Sequence, residues 1–546
     1  MTDYFAQHRD LLDRAVTALA ARQFWTPFPE VPSGKFYGES AREEGQAGYD
    51  ALLGQAFDLP GHPEDGRVGA EVSPFGGALG ISYPQAAPGT LLSAAEQAAP
   101  DWAAATPETR VGLCLEMLTR LNRLSFLIGH ATQHTTGQAF AMAFQAGGPH
   151  AQDRGLEAVT MAFTEMTRTP AQARWVKPQG RAADLVVDKH WRVVPKGIGL
   201  VIGCNTFPTW NSYPGLFASL ATGNAVVVKP HPAAILPLAI TVKTARAVLA
   251  EAGFDANVVT LAADSAEAPV TQLLATDPRV GIIDYTGSGA FGGWLRDHAR
   301  QARLYTEEAG VNSVVIAATN DFNGMCNNLA FSLSLYSGQM CTSPQNIYIP
   351  ETGIDTDQGR KSFDEVAQAL AGAVDALLSD PGRAAGVLGA IANPATLARV
   401  DAARALGQVV RDSASAGPGR SASPLMIRPA DPAAAETECF GPVSFVIPVA
   451  DADAGIAAAA ALARGKGAIT AALYDTDRDR IARAADAFAR AGVNLSVNLT
   501  GNLFVNQSAA FSDYHVTGAN PAGNASLTDS AFIAGRFAMA MWREQA

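Results

Sequence analysis

Four short apolar runs, at 199–204, 225–228, 258–261 and 280–285, are separated by stretches long enough to form a helix. Strands spaced this way cannot be joined by tight turns, so they demand crossover helices and a parallel sheet. The pattern predicts βαβ units and an α/β fold. In such a sheet a ligand sits at the carboxyl ends of the strands. The residues that stop the runs are therefore the informative ones: Asn205 after the first, Lys229 after the second and Gly287 after the fourth.

The rest of the chain fits around that unit. Phe5, Leu12, Val16 and Leu19 recur at helical spacing near the N-terminus, which predicts an amphipathic helix rather than a secretory leader. Residues 22 to about 100 are rich in Pro and Gly and are expected to form an extended wrap. The runs 185–187 and 191–194 suggest a two-stranded ribbon. A second α/β unit is expected over 308–500, with a helix at 323–336 and strands at 346–349, 443–449 and 494–498. The tail, 501–546, is expected to end in an apolar helix at 531–542.

Composition narrows the function. With 546 residues the chain exceeds one compact core, so two or three domains are expected. A net charge of −12 with no basic block argues against nucleic acid as a partner. No apolar run approaches the about 20 residues that a membrane helix needs. The five cysteines, Cys114, Cys204, Cys326, Cys341 and Cys439, include no C-x-x-C pair. That count and spacing argue against a disulfide framework or a metal site, and for a reducing cytoplasm.

Several segments carry candidate chemistry. Gly287-Ser288-Gly289-Ala290-Phe291-Gly292 follows a strand and opens a helix, where backbone N–H groups bind phosphate. Lys229 stands at the ligand edge of its strand, and Asn205 offers a side-chain amide to a developing oxyanion. Cys341, in Gly338-Gln339-Met340-Cys341, offers a thiol nucleophile. Glu307 precedes it by 341 − 307 = 34 positions and offers a base. Taken singly, each has a plainer reading: a tight turn, a solvated lysine, a turn asparagine, a buried cysteine.

Together these segments resemble the aldehyde dehydrogenase superfamily over about residues 100 to 515. Asn205-Thr206-Phe207-Pro208 resembles its Trp-Asn-Phe-Pro element with one residue inserted, and 223–230 resembles its Gly-Asn…Lys-Pro strand. Tyr285-Thr286-Gly287-Ser288 resembles Phe-Thr-Gly-Ser, and 307–312 resembles a degraded Glu-Leu-Gly-Gly-Lys-Asn. Gly338-Gln339-Met340-Cys341 matches Gly-Gln-x-Cys, and Glu438-Cys439-Phe440-Gly441-Pro442 resembles Glu-Ile-Phe-Gly-Pro. The resemblance implies a Rossmann-type cofactor domain over 101–307, an α/β catalytic domain over 308–500, and an oligomerisation ribbon at about 184–196. It implies Cys341 as nucleophile, Asn205 with the Cys341 N–H as oxyanion hole, and Glu307 as the deacylating base. It implies that Lys229, Gly287, Ser288, Gly292, Glu438 and Phe440 hold NAD or NADP.

The departures from the family pattern matter. Glu307 and Glu308 are adjacent, so the base carries a one-residue ambiguity that the 34-residue spacing resolves toward Glu307. Pro232 stands where NAD-preferring members tend to have Glu, and His231 offers a further contact for a 2′-phosphate, so NADP is the expected cofactor. A narrower resemblance, over Phe511-Ser512-Asp513-Tyr514-His515, 518–521 and 524–527, is to the PaaN group of phenylacetic acid degradation proteins. It implies a CoA-linked semialdehyde substrate, a separate ring-opening hydratase as partner, and a homodimer or homotetramer. Two rival readings are a CoA-acylating dehydrogenase, which would tend to lack Glu307, and a non-catalytic binding protein, which would tolerate loss of Cys341.

Overall fold

The computed structural model describes all residues except Met1, Ala309, Pro418, 507–510 and Thr528. Its first sheet is five-stranded and wholly parallel. Ile198–Ile202 lies at the centre, with Ala225–Lys229 and then Val259–Leu261 on one side. Val280–Gly287 and then Arg303–Glu308 lie on the other. Every residue of Ile198–Ile202 and Ala225–Lys229 is buried, as continuous apolar runs require when helices cover both faces. The strand order reverses between Ile198–Ile202 and Val280–Gly287. Such a switch point leaves a crevice at the carboxyl ends of those two strands, where Asn205 and Ser288 follow.

The second sheet has seven strands, in the order Gly407–Arg411, Leu425–Pro429, Val443–Val449, Asn346–Pro350, Ser313–Ile316, Thr470–Tyr474 and Asn494–Val497. Only its outermost pair, Gly407–Arg411 with Leu425–Pro429, is antiparallel. The first sheet ends at Glu308 and the second begins at Ser313, so the two sheets are joined beside the strand that carries Glu307. That edge strand is not left bare. Asn524 brackets Thr306, Ala522 O accepts the Glu308 N–H, and Gly523 bridges Glu307. Covering an edge in this way removes a site for unwanted strand pairing.

The N-terminal helix is found at Tyr4–Ala21, capped by Asp3, whose Oδ1 accepts the Ala6 N–H at 3.0 Å. The segment expected to be an extended wrap is partly helical, at Ala41–Asp50 and Pro88–Ala104. Leu91, Leu92, Ala95 and Trp102 give the second of these a buried face, which outweighs its local Pro and Gly content. Two further expectations are corrected at the oligomerisation ribbon. The runs 185–187 and 191–194 form one continuous strand, Ala182–Pro195, because the polar residues between them alternate faces instead of turning. The expected apolar helix at 531–542 is a single turn, Ser530–Ala534, followed by the strand Phe537–Gln545, which pairs antiparallel along Val187–Pro195. Among the described residues no helix is long and apolar enough to cross a membrane.

The C-terminus is locked to the first sheet by a buried charge pair. Arg536 is fully buried and donates to both Asp284 oxygens, at 2.6 and 2.7 Å, and to Ser219 Oγ at 2.9 Å. Its guanidinium lies 4.3 Å from the ring centroids of both Tyr305 and Phe532. A Cβ at Gly215 would come within 2.3 Å of the Asp284 carboxyl carbon, so only glycine admits this pair beneath the helix Pro208–Ala221.

Candidate active site

Cys341 sits on a loop held in an unusual backbone conformation. The helix Phe322–Ser334 ends, and Tyr336, Ser337 and Gly338 follow with φ of 53°, 49° and 62°. Two non-glycine residues in the left-handed region cost energy, and such strain persists only where surroundings enforce it. Here they do. The Tyr336 hydroxyl donates to Thr136 O and the Ser337 hydroxyl to Leu388 O. Gln339 Nε2 donates to Tyr336 O and Ala390 O, while its Oε1 accepts the Ala392 N–H. A Cβ at Gly338 would lie 2.5 Å from Gly441 O, and one at Gly441 would lie 2.5 Å from Thr396 Cγ2, so each motif needs its own glycine here. Below the loop, Asn312 Nδ2 donates to Cys341 O at 2.7 Å, and its Oδ1 accepts from the N–H groups of Ile469 and Thr470.

Around the Cys341 sulfur lie two ionisable groups from distant parts of the chain. Ligand atoms of Glu307, Cys341 and His515 all lie within 4.8 Å of one another. His515 Nε2 is 3.1 Å from Glu307 Oε1 and 3.7 Å from Cys341 Sγ. Asn211 Nδ2 donates to Glu307 Oε1 at 3.2 Å, and the Cys204 thiol donates to Asn211 Oδ1 at 3.4 Å. Burial alone would raise the Glu307 carboxyl, but the charge and hydrogen bond of His515, aided by Arg154, hold it below its ordinary value. Cys341 is pushed well above the usual thiol range, first by burial and then by the Glu307 charge and hydrogen bond. Glu308 is committed elsewhere, to an ion pair with Arg296.

The sulfur stands where two cavities meet. One, of about 300 Å³, is lined by Asn205, His231, Gly287, Ser288, Glu438 and Phe440 as well as Cys341. Ser288, on the wall of this space, caps the ten-residue helix Gly289–His298 by accepting the Phe291 N–H. Asn205 Oδ1 is buried without a hydrogen-bond partner. Burial raises the Glu438 carboxyl to about 7, against the opposing effects of the Gly310 N–H and Arg399. A helix N-terminus, a ring and a carboxyl converging on the sulfur fit a nicotinamide dinucleotide. The other cavity, of about 350 Å³, is walled by Met142, Phe207, Trp210, Phe331, Met340 and Phe504. Neither arginine nor lysine lines it among the described residues.

Three expected cofactor contacts look different in the structure. Lys229 is only 3% exposed and forms a 2.7 Å ion pair with Asp264, so it lies beneath the cavity wall. Gly292 packs on Glu308, where a Cβ would come within 2.4 Å of the carboxyl carbon, and does not reach the cavity. His231 does reach it, but as a neutral ring. Burial, then the Lys229 charge, lowers it to about 4, and its Nδ1 accepts the Ala233 N–H. The sequence reading missed His515 and Asn211 as members of the site, and Asp264 as the buried partner of Lys229. His515 lies 174 residues from Cys341 and Asp264 follows a different strand from Lys229, so no local spacing connects them. Asn211 lies in the first turn of the helix Pro208–Ala221, six positions after Asn205, and a second amide so near was the available signal.

Comparison with known proteins identifies the family and the fold. The family model described as the aldehyde dehydrogenase family matches residues 81–522. A solved structure, the NAD-dependent aldehyde dehydrogenase from Burkholderia multivorans, is 52% identical with a TM-score of 0.98, covering 100% of this chain and 99% of its own. The 1-pyrroline-5-carboxylate dehydrogenase from Thermus with bound NAD shares the fold, at 21% identity and a TM-score of 0.74 over 96% of this chain and 99% of its own. Among curated proteins, the 1-pyrroline-5-carboxylate dehydrogenase of Bacillus subtilis (strain 168) is 24% identical over 543 residues, 94% of this chain and 96% of that protein.

Proposed function

This chain belongs to the aldehyde dehydrogenase family, and from that premise we propose that Cys341, Asn205 and Glu307 carry an NAD(P)-dependent oxidation of an aldehyde to a carboxylic acid. Cys341 Sγ adds to the carbonyl carbon. The Asn205 amide and the Cys341 backbone N–H bind the developing oxyanion, a contribution worth roughly 10²–10³ in rate for one donor. Bound NAD(P)+ supplies the hydride acceptor. Glu307, held as a carboxylate by His515, takes a proton from the water that cleaves the thioester. The observation that carries this reading is the position of Cys341, a wall of both cavities with the Glu307 carboxylate beside it. A carboxylate so placed disfavours the CoA-acylating alternative, in which a thiol replaces water.

For the cofactor we propose NAD in preference to NADP. Pro232 removes one carboxylate, but Asp264 restores buried negative charge at Lys229, and the neutral His231 adds no cation to bind a 2′-phosphate. The Burkholderia multivorans structure, by its name NAD-dependent, supports the same choice.

For the substrate we propose a CoA-linked semialdehyde of the 3-oxo-5,6-dehydrosuberyl-CoA type, formed by a separate ring-opening hydratase in phenylacetate degradation. Two observations support it. The tail signature that resembles PaaN contributes His515 to the site itself. The apolar cavity suits an acyl arm better than 1-pyrroline-5-carboxylate, the substrate named for the more distant relatives, because no arginine or lysine lines it among the described residues to meet a carboxylate. We propose a homodimer or homotetramer, since Trp175, Val176, Leu185, Val194, Met541 and Trp542 are all exposed on one three-stranded sheet. Steady-state kinetics across CoA-linked semialdehydes, free apolar semialdehydes and 1-pyrroline-5-carboxylate tests the substrate. The highest kcat/KM is expected for the CoA-linked compound, and a preference for the pyrroline carboxylate would overturn the reading.

A further inference from the structure

The fold brings three side chains of different donor chemistry to one point. Cys341 offers sulfur from the loop after Phe322–Ser334, Glu307 offers oxygen from the edge strand Arg303–Glu308, and His515 offers nitrogen from the tail. Their ligand atoms all lie within 4.8 Å of one another. A tetrahedral zinc ion, with bonds of about 2.3 Å to sulfur and about 2.0 Å to nitrogen and oxygen, sets its ligand atoms roughly 3.3–3.5 Å apart. His515 Nε2 is 3.1 Å from Glu307 Oε1 and 3.7 Å from Cys341 Sγ, on either side of that range. The imidazole is thus already at zinc-ligand spacing from both of the others. Sequence spacing could not mark such a set, because 174 positions separate Cys341 from His515.

Resting on the reading of Cys341 as nucleophile and Glu307 as base, we propose that Glu307, Cys341 and His515 form an inhibitory binding site for zinc, with water in the fourth position. Thiolate sulfur and imidazole nitrogen suit zinc, whereas magnesium and calcium call for oxygen ligands. As the ion binds, the S–H bond breaks, a Zn–S bond forms and the thiol proton passes to solvent. The Nε2 lone pair and one Glu307 oxygen supply the other two bonds. The Nε2 proton passes to solvent from a charged ring, and is carried on Nδ1 by a neutral one. No electron is transferred. Bound zinc holds the sulfur that would attack the carbonyl and the carboxylate that would activate water, so it stops both halves of turnover.

The surroundings are built for such an ion. Polar contacts that orient metal ligands are half of a metal site, and each ligand has one. Asn211 Nδ2 donates to Glu307 Oε1 at 3.2 Å, Asn312 Nδ2 to Cys341 O at 2.7 Å, and Asn494 Nδ2 to His515 O at 2.8 Å. The His515 side chain is 4% exposed, and the Trp210 ring meets it edge-on at 4.6 Å. Cys341 lines both cavities, His515 the apolar one and Glu307 the other, so an ion reaches the three from either side. The nearby carboxyls of Glu438, Asp513 and Glu157 favour a cation. Arg154 opposes it, but is drawn off by Glu157 at 3.6 Å and lies over Trp210 at 4.7 Å. Zinc with one thiolate and one carboxylate is neutral overall, so binding removes the Glu307 charge from this acidic surround.

The test is calorimetric titration of the metal-free full chain with zinc chloride, with X-ray absorption at the zinc edge. Turnover of a short aliphatic aldehyde with NAD+ is followed over the same range. The account expects one zinc per chain, with sulfur at about 2.3 Å and nitrogen or oxygen at about 2.0 Å. Turnover should fall in step with occupancy and return on adding EDTA, and magnesium should leave it unchanged. Zinc should also protect Cys341 from iodoacetamide. His515→Gln, which keeps an N–H donor for Glu307, should bind zinc roughly 10²-fold more weakly. Zinc affinity unchanged in His515→Gln, or an ion held by sulfur without nitrogen, would overturn the site. Full occupancy with undiminished turnover would instead overturn the roles given to Cys341 and Glu307, so the two failures are distinguishable. Unaltered NAD+ binding by calorimetry identifies variants that have folded.

Discussion

Glu307 Oε1 and His515 Nε2 lie 3.1 Å apart although 208 positions separate them in the chain. The tail that carries His515 also pairs with the edge strand that carries Glu307, through Gly523. One segment therefore orders the base, screens its charge and closes the wall beside Cys341. This contact fixes the protonation state of Glu307, and the first prediction follows from it.

Glu307→Gln should leave acylation largely intact and stall at the thioester. Rapid mixing should show a burst of NAD(P)H near one equivalent per site, with kcat lower by about 10²–10⁴. Because the Glu307 carboxyl is held below its ordinary value, about 4.3 for a free glutamate, wild-type hydrolysis of the thioester should persist as pH falls to 5. A hydrolysis step with an acid midpoint above 6 would be incompatible with the His515 contact.

Asn205→Ala removes the proposed side-chain oxyanion donor. The expected loss in kcat is roughly 10²–10³, with NAD+ affinity unchanged. A loss below about threefold would show that another group holds the oxyanion.

Asp264→Asn should shift the cofactor ratio. Neutralising the acid beside Lys229 removes repulsion toward a 2′-phosphate, so kcat/KM for NADP+ relative to NAD+ should rise about tenfold, a change of about 1.4 kcal/mol. Wild-type protein that already favours NADP+ would contradict the role given to Asp264.

Arg536→Met leaves Asp284 buried without its cation. Breaking such a pair from one side typically costs about 3–5 kcal/mol, and urea titration should show a loss of that size. Stability within 1 kcal/mol of wild type would mean that the C-terminal strand is not anchored through this pair.

The sequence revealed this site unevenly. The strand ends at Asn205 and Gly287 were legible because buried parallel strands read as unbroken apolar runs. Cys341 was legible because its loop demands glycine at 338, where the chain crosses Gly441 O. His515 was hidden, since a lone histidine in a tail has no periodicity to mark it and tertiary pairing with Arg303–Glu308 brings it home. The ion pair of Lys229 was not legible because its counter-ion, Asp264, follows the next strand of the sheet. Phe537–Gln545 was read as helix because a run of apolar residues interleaved with alanine suits either period, and pairing with Ala182–Pro195 decides the outcome.

The central claim is that Cys341 forms the bond to substrate, and one experiment addresses it directly. Purified Cys341→Ala is mixed with saturating aldehyde and NAD+, and NADH absorbance is followed through the first turnover and beyond. The account predicts no burst and no steady-state rate, with NAD+ binding within about threefold of wild type, since the thiol is the nucleophile rather than a ligand for the dinucleotide. NADH formation by this variant at a rate near that of wild type would contradict it.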